Sequence, residues 1–268
     1  VGAMLAFSGI LMASMIETAG VHPILAMMVV LVAGSGMGLI MGLAIHYLKA
    51  PPFIVTLGGM FLARGIAQII SPKIAINNPF VINFVGTGIP LPGEMLLPSV
   101  AIIFLVVFLI GLYLAHLTKF GRSVYAIGGN QQSAVLMGLP VARTKILVYT
   151  FSGLCSALAG IVYTMYTSAG YSLSGVGFDM DVIASVVIGG TLITGGVGYL
   201  MGTLFGVLIQ GVIQTFITFQ GTLNSWWTRI FIGLLLLAFI LFQQILVRTP
   251  VKSEGDTAAK APPQPVHG

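Results

Sequence analysis

The stretch LPSVAIIFLVVFLIGLYLAHL, residues 97–117, decides the fold class, because its 21 residues include no Asp, Glu, Lys or Arg. A helix of about 20 apolar residues is long enough to cross the ~30 Å hydrocarbon core of a bilayer. The stretch is apolar at nearly every position, so it leaves no polar face for water. A transmembrane β-strand would instead alternate polar and apolar residues over about 10 positions. The stretch therefore predicts a transmembrane helix.

Seven further apolar stretches extend this pattern along the chain. The sequence thus predicts an all-α, polytopic transmembrane helical bundle over residues 1–247. One stretch, 182–194, has 13 residues and would reach only about 20 Å at 1.5 Å per residue, so we expect half of a broken helix or a hairpin within 181–198. Because the apolar pattern of the first stretch is already present at Val1, we expect the chain to be N-terminally truncated. The seven stretches are 1–17, 24–48, 53–70, 146–167, 182–194, 198–219 and 226–247.

Composition excludes a soluble protein and a nucleic-acid-binding protein. Charged residues make up 6% of the 268 residues and apolar residues 57%, with a mean hydropathy of +1.06. Soluble domains carry roughly 25% charged residues. The net charge is +5, but the eleven Lys and Arg residues are too scattered to follow a phosphate backbone. Membrane lipid is the expected surrounding for most of the chain.

The connection 118–145 sets the predicted orientation, because it holds four of the eleven Lys and Arg residues and no acid. Lys and Arg concentrate in short cytoplasmic loops of membrane proteins. Counting eight crossings then places the 49–52 turn and the tail 248–268 on the same cytoplasmic face. The connections 72–96 and 168–181 are then expected on the external face of the membrane. The tail is rich in Pro and poor in large apolar residues, so we expect it to be disordered.

Motifs for catalysis and for cofactor or metal binding are missing from the sequence. It contains no P-loop, no GxSxG, no HExxH and no paired Cys motif. The predicted spans are also nearly free of carboxylates, which argues against a membrane enzyme. An ion-coupled secondary transporter stays open as an alternative, although it usually needs acids within its spans. Only Asp179 and Asp181 would be candidates, and both lie at the start of a span.

The 118–145 connection, TKFGRSVYAIGGNQQSAVLMGLPVARTK, predicts a docking surface for a cytoplasmic partner. It is longer than the usual 2–8 residues of a helix–helix loop, and its apolar residues indicate defined structure. We expect a short helix over 132–137 and a turn at Gly129 that a side chain would strain. A loop with a purely structural role is the alternative. The candidate docking residues are Gly128, Gly129, Asn130, Leu136, Met137 and Gly138.

Two other features suggest function within the bundle. The glycine-rich stretch 175–198 predicts a helix that starts after Asp181 as its cap and is then interrupted by Gly189, Gly190 and Gly195. Broken helices often border transport pathways, although a tight hairpin is the alternative. Arg64 lies inside the 53–70 span, either as a functional intramembrane charge or as a side chain that snorkels to the outer interface.

Three stretches carry a resemblance to a known family. They are FGRSVYAIGGNQQSAVLMGL (120–139), DVIASVVIGGTLITGGVGYLMGTLFG (181–206) and IQGVIQTFITFQGTLNSWWTRI (209–230). The first two resemble the permease subunits of bacterial ATP-binding-cassette (ABC) importers for ribose, xylose and related sugars, and the third carries the similarity to one type within that family. Within that family the sequence is most similar to the galactofuranose type, and the resemblance extends from Val1 to about Leu246.

The resemblance implies a multi-pass inner-membrane subunit that has no ATPase and no cofactor. Its partners would be a cytoplasmic ABC ATPase, a second permease in a homo- or heterodimer, and a periplasmic sugar-binding protein. Residues 128–138 match the family's ATPase-contacting loop. The family also has about one further span before Val1. A neutral sugar needs hydroxyl and amide groups along its path. The candidate translocation pathway therefore includes, besides the three glycines that interrupt the helix, four polar residues: Thr191, Thr194, Gln210 and Gln214.

Overall fold

The computed structural model describes residues 1–86, 88–90, 96–220 and 225–248, and this part of the chain is mainly helical. The order of its elements is α1 (Gly2–Glu17), α2 (Pro23–Tyr47), α3 (Pro52–Ile70), β1 (Lys73–Ala75), α4 (Pro79–Gly86), β2 (Gly88–Pro90), β3 (Leu96–Pro98), α5 (Ser99–Leu117), α6 (Lys119–Gly129), α7 (Gln131–Leu136), α8 (Val141–Thr167), β4 (Ala169–Tyr171), α9 (Phe178–Ile188), α10 (Leu200–Gln220) and α11 (Ser225–Arg248).

Five of these helices, α2, α3, α5, α8 and α10, are long and apolar enough to cross a membrane. Two shorter apolar stretches, Gly2–Glu17 and Arg229–Gln243, accompany them. The predicted all-α, polytopic membrane fold is therefore confirmed. Hydropathy located most predicted spans to within a few residues, because the thickness of the bilayer sets the length of an apolar run. The exceptions are α8 and α9.

Two predicted boundaries were wrong. Helix α8 begins at Val141 rather than at 146, so the last five residues of the predicted loop are already helical. Helix α9 begins at Phe178, and Asp181 lies in its first turn instead of capping it. The residue before α9 is Gly177, whose φ of +87° suits glycine best. Carboxylates in a first turn still stabilise a helix by interacting with its dipole.

The first compact unit comprises Val1–Ile209, and α1 lies at its centre. Twelve of the sixteen residues of α1 are buried, and the helix packs against α2, α3 and α8. Helices α2 and α8 approach closely because Gly34 and Gly38 face the backbone of α8. By contrast, no residue of α5 is buried, as expected of a helix that lipid surrounds.

A short antiparallel ribbon, which the sequence did not predict, forms where α3 and α8 end. Strand β1 pairs with β4 in the register Lys73↔Tyr171, Ile74↔Gly170 and Ala75↔Ala169. A Cβ on Gly170 would lie 2.9 Å from Ala13 Cβ and from Gly9 O, so the ribbon rests directly on α1. Strands β2 and β3 form a second antiparallel pair.

The second compact unit begins at Gln210 and contains the rest of α10 and α11. At the start of α11 the Arg229 guanidinium lies 4.8 Å from the centre of the Trp226 ring, a distance typical of a cation–π contact. An aromatic and cationic pair of this kind suits a membrane interface. The predicted disordered tail from residue 249 onward lies outside the described residues.

Candidate functional site

The predicted docking loop folds into two short helices, α6 and α7, followed by the first turn of α8. Three successive apolar side chains, Val135, Leu136 and Met137, are exposed at the end of α7, with 88% of Leu136 and 66% of Met137 accessible. We call these three residues the docking surface. Such an exposed apolar group suits a protein partner, because it is energetically unfavourable in water.

Local hydrogen bonds hold the docking surface in place. Asn130 Oδ1 accepts a hydrogen bond from Ser133 N at 3.0 Å and so caps α7. Lys145 Nζ donates to Gln131 Oε1 at 2.7 Å and ties α7 to α8. At the other end, Gly138 has a φ of +74°, and its N–H donates to Val135 O at 3.0 Å. The predicted short helix and its termination at Gly138 match the structure.

The end of α6 touches the glycine-rich turn that follows α9. A Cβ on Gly128 would lie 2.9 Å from Gly196 N, and a Cβ on Gly195 would lie 2.7 Å from Gly128 O. A Cβ on Gly196 would lie 2.7 Å from the Cα of Gly129. We call these four residues the glycine contact. It joins two segments that sequence analysis singled out separately, and it agrees with a topology that places both on one membrane face.

Gly129 does not have the role that the sequence suggested. It is the last residue of α6 rather than part of a strained turn, and its φ is not positive. A Cβ there would make only an ordinary contact of 3.8 Å with Gly196. The positions that require glycine are Gly128, through its contact, and Gly195 and Gly196, through their contacts and their φ values of +92° and +81°.

The candidate pathway residues are divided between a hairpin and the second unit. Helices α9 and α10 pack so tightly that a Cβ on Gly189 would lie 2.5 Å from the backbone of Gly202, which supports the hairpin alternative at that position. Gly190, Thr191, Thr194 and Gly195 all lie in the turn after α9, beside the docking loop rather than midway along a span. Gln210 is buried and Gln214 is half-buried, and both belong to the second unit.

On the membrane face opposite the docking loop, the Arg64 side chain donates hydrogen bonds to backbone carbonyl groups instead of extending freely to the outer interface. Its guanidinium donates to Ser172 O at 3.4 Å and to Ser174 O at 3.5 Å. Gln68, one turn further along α3, accepts a hydrogen bond from Ser172 Oγ at 2.5 Å. Arg64 thus helps to fasten the segment between β4 and α9 onto α3. Sequence analysis could not find these partners, since they lie more than 100 residues away.

Asp179 is engaged with the start of α1. Its Oδ1 accepts a hydrogen bond from the backbone N–H of Gly2 at 3.0 Å. Among the described residues, no group of three or more His, Cys, Asp or Glu side chains could hold a metal ion.

A bundle of membrane-spanning helices is the architecture expected of the permease component of a transport system. The family described as "Branched-chain amino acid transport system / permease component" matches residues 1–240. The chain belongs to this family. It is a multi-pass protein of the bacterial inner membrane and is not itself an enzyme.

Three relatives are similar over nearly the whole chain. The inner membrane ABC transporter permease protein YjfF of Escherichia coli is 51% identical over 245 residues, which cover 91% of this chain and 74% of the relative. The fructose import permease protein FruG of Bifidobacterium longum is 39% identical, covering 92% and 74%. The ribose import permease protein RbsC of Bacillus subtilis is 36% identical, covering 91% and 75%. No solved structure matches the chain.

Proposed function

We propose that this chain is the translocating subunit of an ABC importer for a monosaccharide, galactofuranose or a similar pentose or hexose. Relatives named for ribose and fructose import support the sugar class. The resemblance of residues 209–230 to the galactofuranose type supports the finer assignment. A cytoplasmic ATPase, a second permease chain and a periplasmic sugar-binding protein complete the complex.

The glycine contact is the observation that carries this proposal. The ATPase binds the docking surface through Leu136 and Met137, which are apolar and exposed. Helix α6 lies directly before α7, and Gly128, its second-to-last residue, touches Gly195 and Gly196. A movement of the docking surface therefore reaches the α9–α10 hairpin through a backbone contact. The change is a rigid-body rearrangement with no covalent step in this chain.

The test is uptake of labelled sugars by cells that lack this chain and by cells in which it is restored. Labelled galactofuranose, ribose, fructose and allose are compared in parallel, with the partner genes left intact. We expect one of these sugars to enter only when the chain is present, and only with an ATPase able to hydrolyse ATP. Uptake that continues with an inactive ATPase but stops when the ion gradient is collapsed would favour the ion-coupled alternative. If none of the four sugars enters, the substrate class is wrong.

A further inference from the structure

A pocket of about 390 Å³ lies where the β1–β4 ribbon meets the end of α8. We call it the tyrosine pocket. Its volume falls within the range of about 300–1,000 Å³ that small-molecule sites occupy. None of the residues assigned above to docking or to the pathway lines it. The lining residues are Lys73, Tyr163, Thr167, Ala169, Tyr171 and Ser174.

Helix α8 places this pocket on the opposite face from the docking surface. The helix begins at Val141, next to α7, and ends at Thr167 in the wall of the pocket. Its 27 residues span about 40 Å at 1.5 Å per residue, which is more than the hydrocarbon thickness of a bilayer. If the ATPase docks on one face, the tyrosine pocket therefore opens on the other, where substrate arrives.

The ribbon forms one wall of the pocket. Lys73 and Tyr171 are direct cross-strand partners, so their side chains leave the same face of the ribbon. The other face carries Ile74 and Gly170, and Gly170 is packed against α1. Ala169 lies two residues before Tyr171 on the outward face, and its small side chain leaves space between the larger ones.

The last two turns of α8 form the second wall. Tyr163 and Thr167 are four residues apart, which places them on one side of the helix. Thr167 Oγ1 lies 2.9 Å from Tyr163 O and 3.0 Å from Ala169 O, so the threonine joins the helix to the ribbon. Tyr163 is 39% exposed and Tyr171 is 45% exposed, so both phenols are accessible from outside.

This combination of groups suits a neutral sugar. The C–H faces of a sugar ring pack on aromatic rings, and the phenol hydroxyls and the Lys73 ammonium donate hydrogen bonds to sugar hydroxyls. The six lining residues include no carboxylate, so the pocket offers nothing to select a cation. Hydroxyl and ammonium groups contribute part of its lining, in contrast to the almost wholly apolar cavity of about 460 Å³ that α5 and α8 line nearby.

We propose that the tyrosine pocket is a subsite that receives the monosaccharide on the external face before it crosses the bundle. This proposal rests on the proposed import function. The pocket contacts sugar, whereas the binding protein docks elsewhere on the external face. Loss of the pocket should therefore reduce uptake while leaving intact the signal that the loaded binding protein sends to the ATPase.

The experiment uses the complete importer reconstituted in proteoliposomes, with the labelled sugar that gives the highest wild-type uptake. Tyr171→Ala and Tyr163→Ala are compared with Tyr166→Ala. Tyr166 is also exposed on α8 and lines the apolar cavity but not the tyrosine pocket. Tyr163 lines both, so Tyr171→Ala is the decisive pocket variant. We expect both pocket variants to reduce uptake by about tenfold at subsaturating sugar, the effect of losing roughly 1.4 kcal/mol of binding. Uptake by Tyr166→Ala and ATPase stimulation in all three variants should remain close to wild type.

Three outcomes would overturn the proposal. Pocket variants that transport like Tyr166→Ala would show that sugar does not use the pocket. A parallel loss of ATPase stimulation and uptake would identify the pocket as part of the docking area for the binding protein. Loss of a subunit on co-purification would show that a protein chain fills it. A wild-type complex that takes up no monosaccharide contradicts the import function as well, so the two failures can be told apart.

Discussion

Replacing one of two adjacent glycines in α6 tests how ATP hydrolysis is coupled to transport. Gly128→Ala and Gly129→Ala add the same methyl group to the same helix, one residue apart. At Gly128 the new Cβ would lie 2.9 Å from Gly196 N, a distance that real Cβ contacts essentially never show. At Gly129 the nearest atom is Gly196 Cα at 3.8 Å, an ordinary van der Waals contact. The pair therefore separates the effect of the glycine contact from the effect of losing a glycine.

The size of the effect follows from these distances. Replacing Gly by Ala within a helix is intrinsically favourable by up to about 1 kcal/mol, and this gain applies to both variants. Gly128→Ala must also move the turn after α9 by about 0.5 Å to restore an acceptable separation, and overpacking of this kind costs about 1–3 kcal/mol. A cost of about 1.4 kcal/mol lowers an equilibrium constant tenfold. The equilibrium constant for forming the glycine contact therefore falls by about fivefold to a hundredfold in Gly128→Ala, and does not fall in Gly129→Ala.

The assay is ATP hydrolysis by the purified complex in one lipid mixture, with and without the loaded binding protein, together with uptake. We expect Gly128→Ala to lose most of the stimulation and most of the uptake, while Gly129→Ala stays close to wild type. Full stimulation in a well-expressed Gly128→Ala complex would refute the coupling role of the contact. Equal defects in both variants would show instead that α6 acts only as part of the ATPase-binding surface.

Three further predictions concern topology, docking and packing. In a Cys155→Ser background, a cysteine introduced by Ser133→Cys should react with a thiol reagent only from the cytoplasm, and labelling from outside intact cells would contradict the orientation. Leu136→Asp should abolish co-purification of the ATPase, whereas Gln132→Asp, an exposed position one turn earlier, should not; equal binding by both would exclude the docking surface. Gly189→Leu should lower the amount of protein in the membrane, because its side chain meets backbone at 2.5 Å, and normal levels on an immunoblot would show that the hairpin tolerates the change.

The membrane spans could be predicted from the sequence because lipid imposes a single requirement on each of them. Any helix that crosses must be apolar over about 20 residues, whatever its neighbours are. A helix that continues beyond the membrane into water need not be apolar there, so a hydropathy pattern does not show where it begins. For this reason the predicted start of α8 was wrong. Residues Val141–Lys145 include two cations but are helical. The limits of α9 were missed for a related reason, since its first turn carries acids that a hydropathy scan assigns to a loop.

The contacts within the candidate site depend on residues far apart in the chain. The sequence identified 118–145 and 181–198 as important, and both contribute to the glycine contact. It did not indicate that they meet, because Gly128 and Gly195 are separated by 67 positions and glycines have no side chain whose chemistry suggests a partner. The tyrosine pocket was missed for the same reason. Its ribbon joins two three-residue strands, which are too short to show an alternating pattern.

Helix α9 is held at both ends by close contacts, so we expect a displacement at one end to be transmitted to the other. On the outer side, a Cβ on Gly175 would lie 3.0 Å from Gly2 O, and the Asp179 carboxylate accepts a hydrogen bond from the Gly2 amide. On the inner side, the turn after α9 forms the glycine contact. A side chain between two elements absorbs small displacements by changing its rotamer, but a contact between glycines has no rotamer to change. Close-packed backbone therefore passes a displacement on to the next element. Because the segment that leads into α9 follows directly after β4, a movement that begins at the docking surface can reach the wall of the tyrosine pocket within one short stretch of chain.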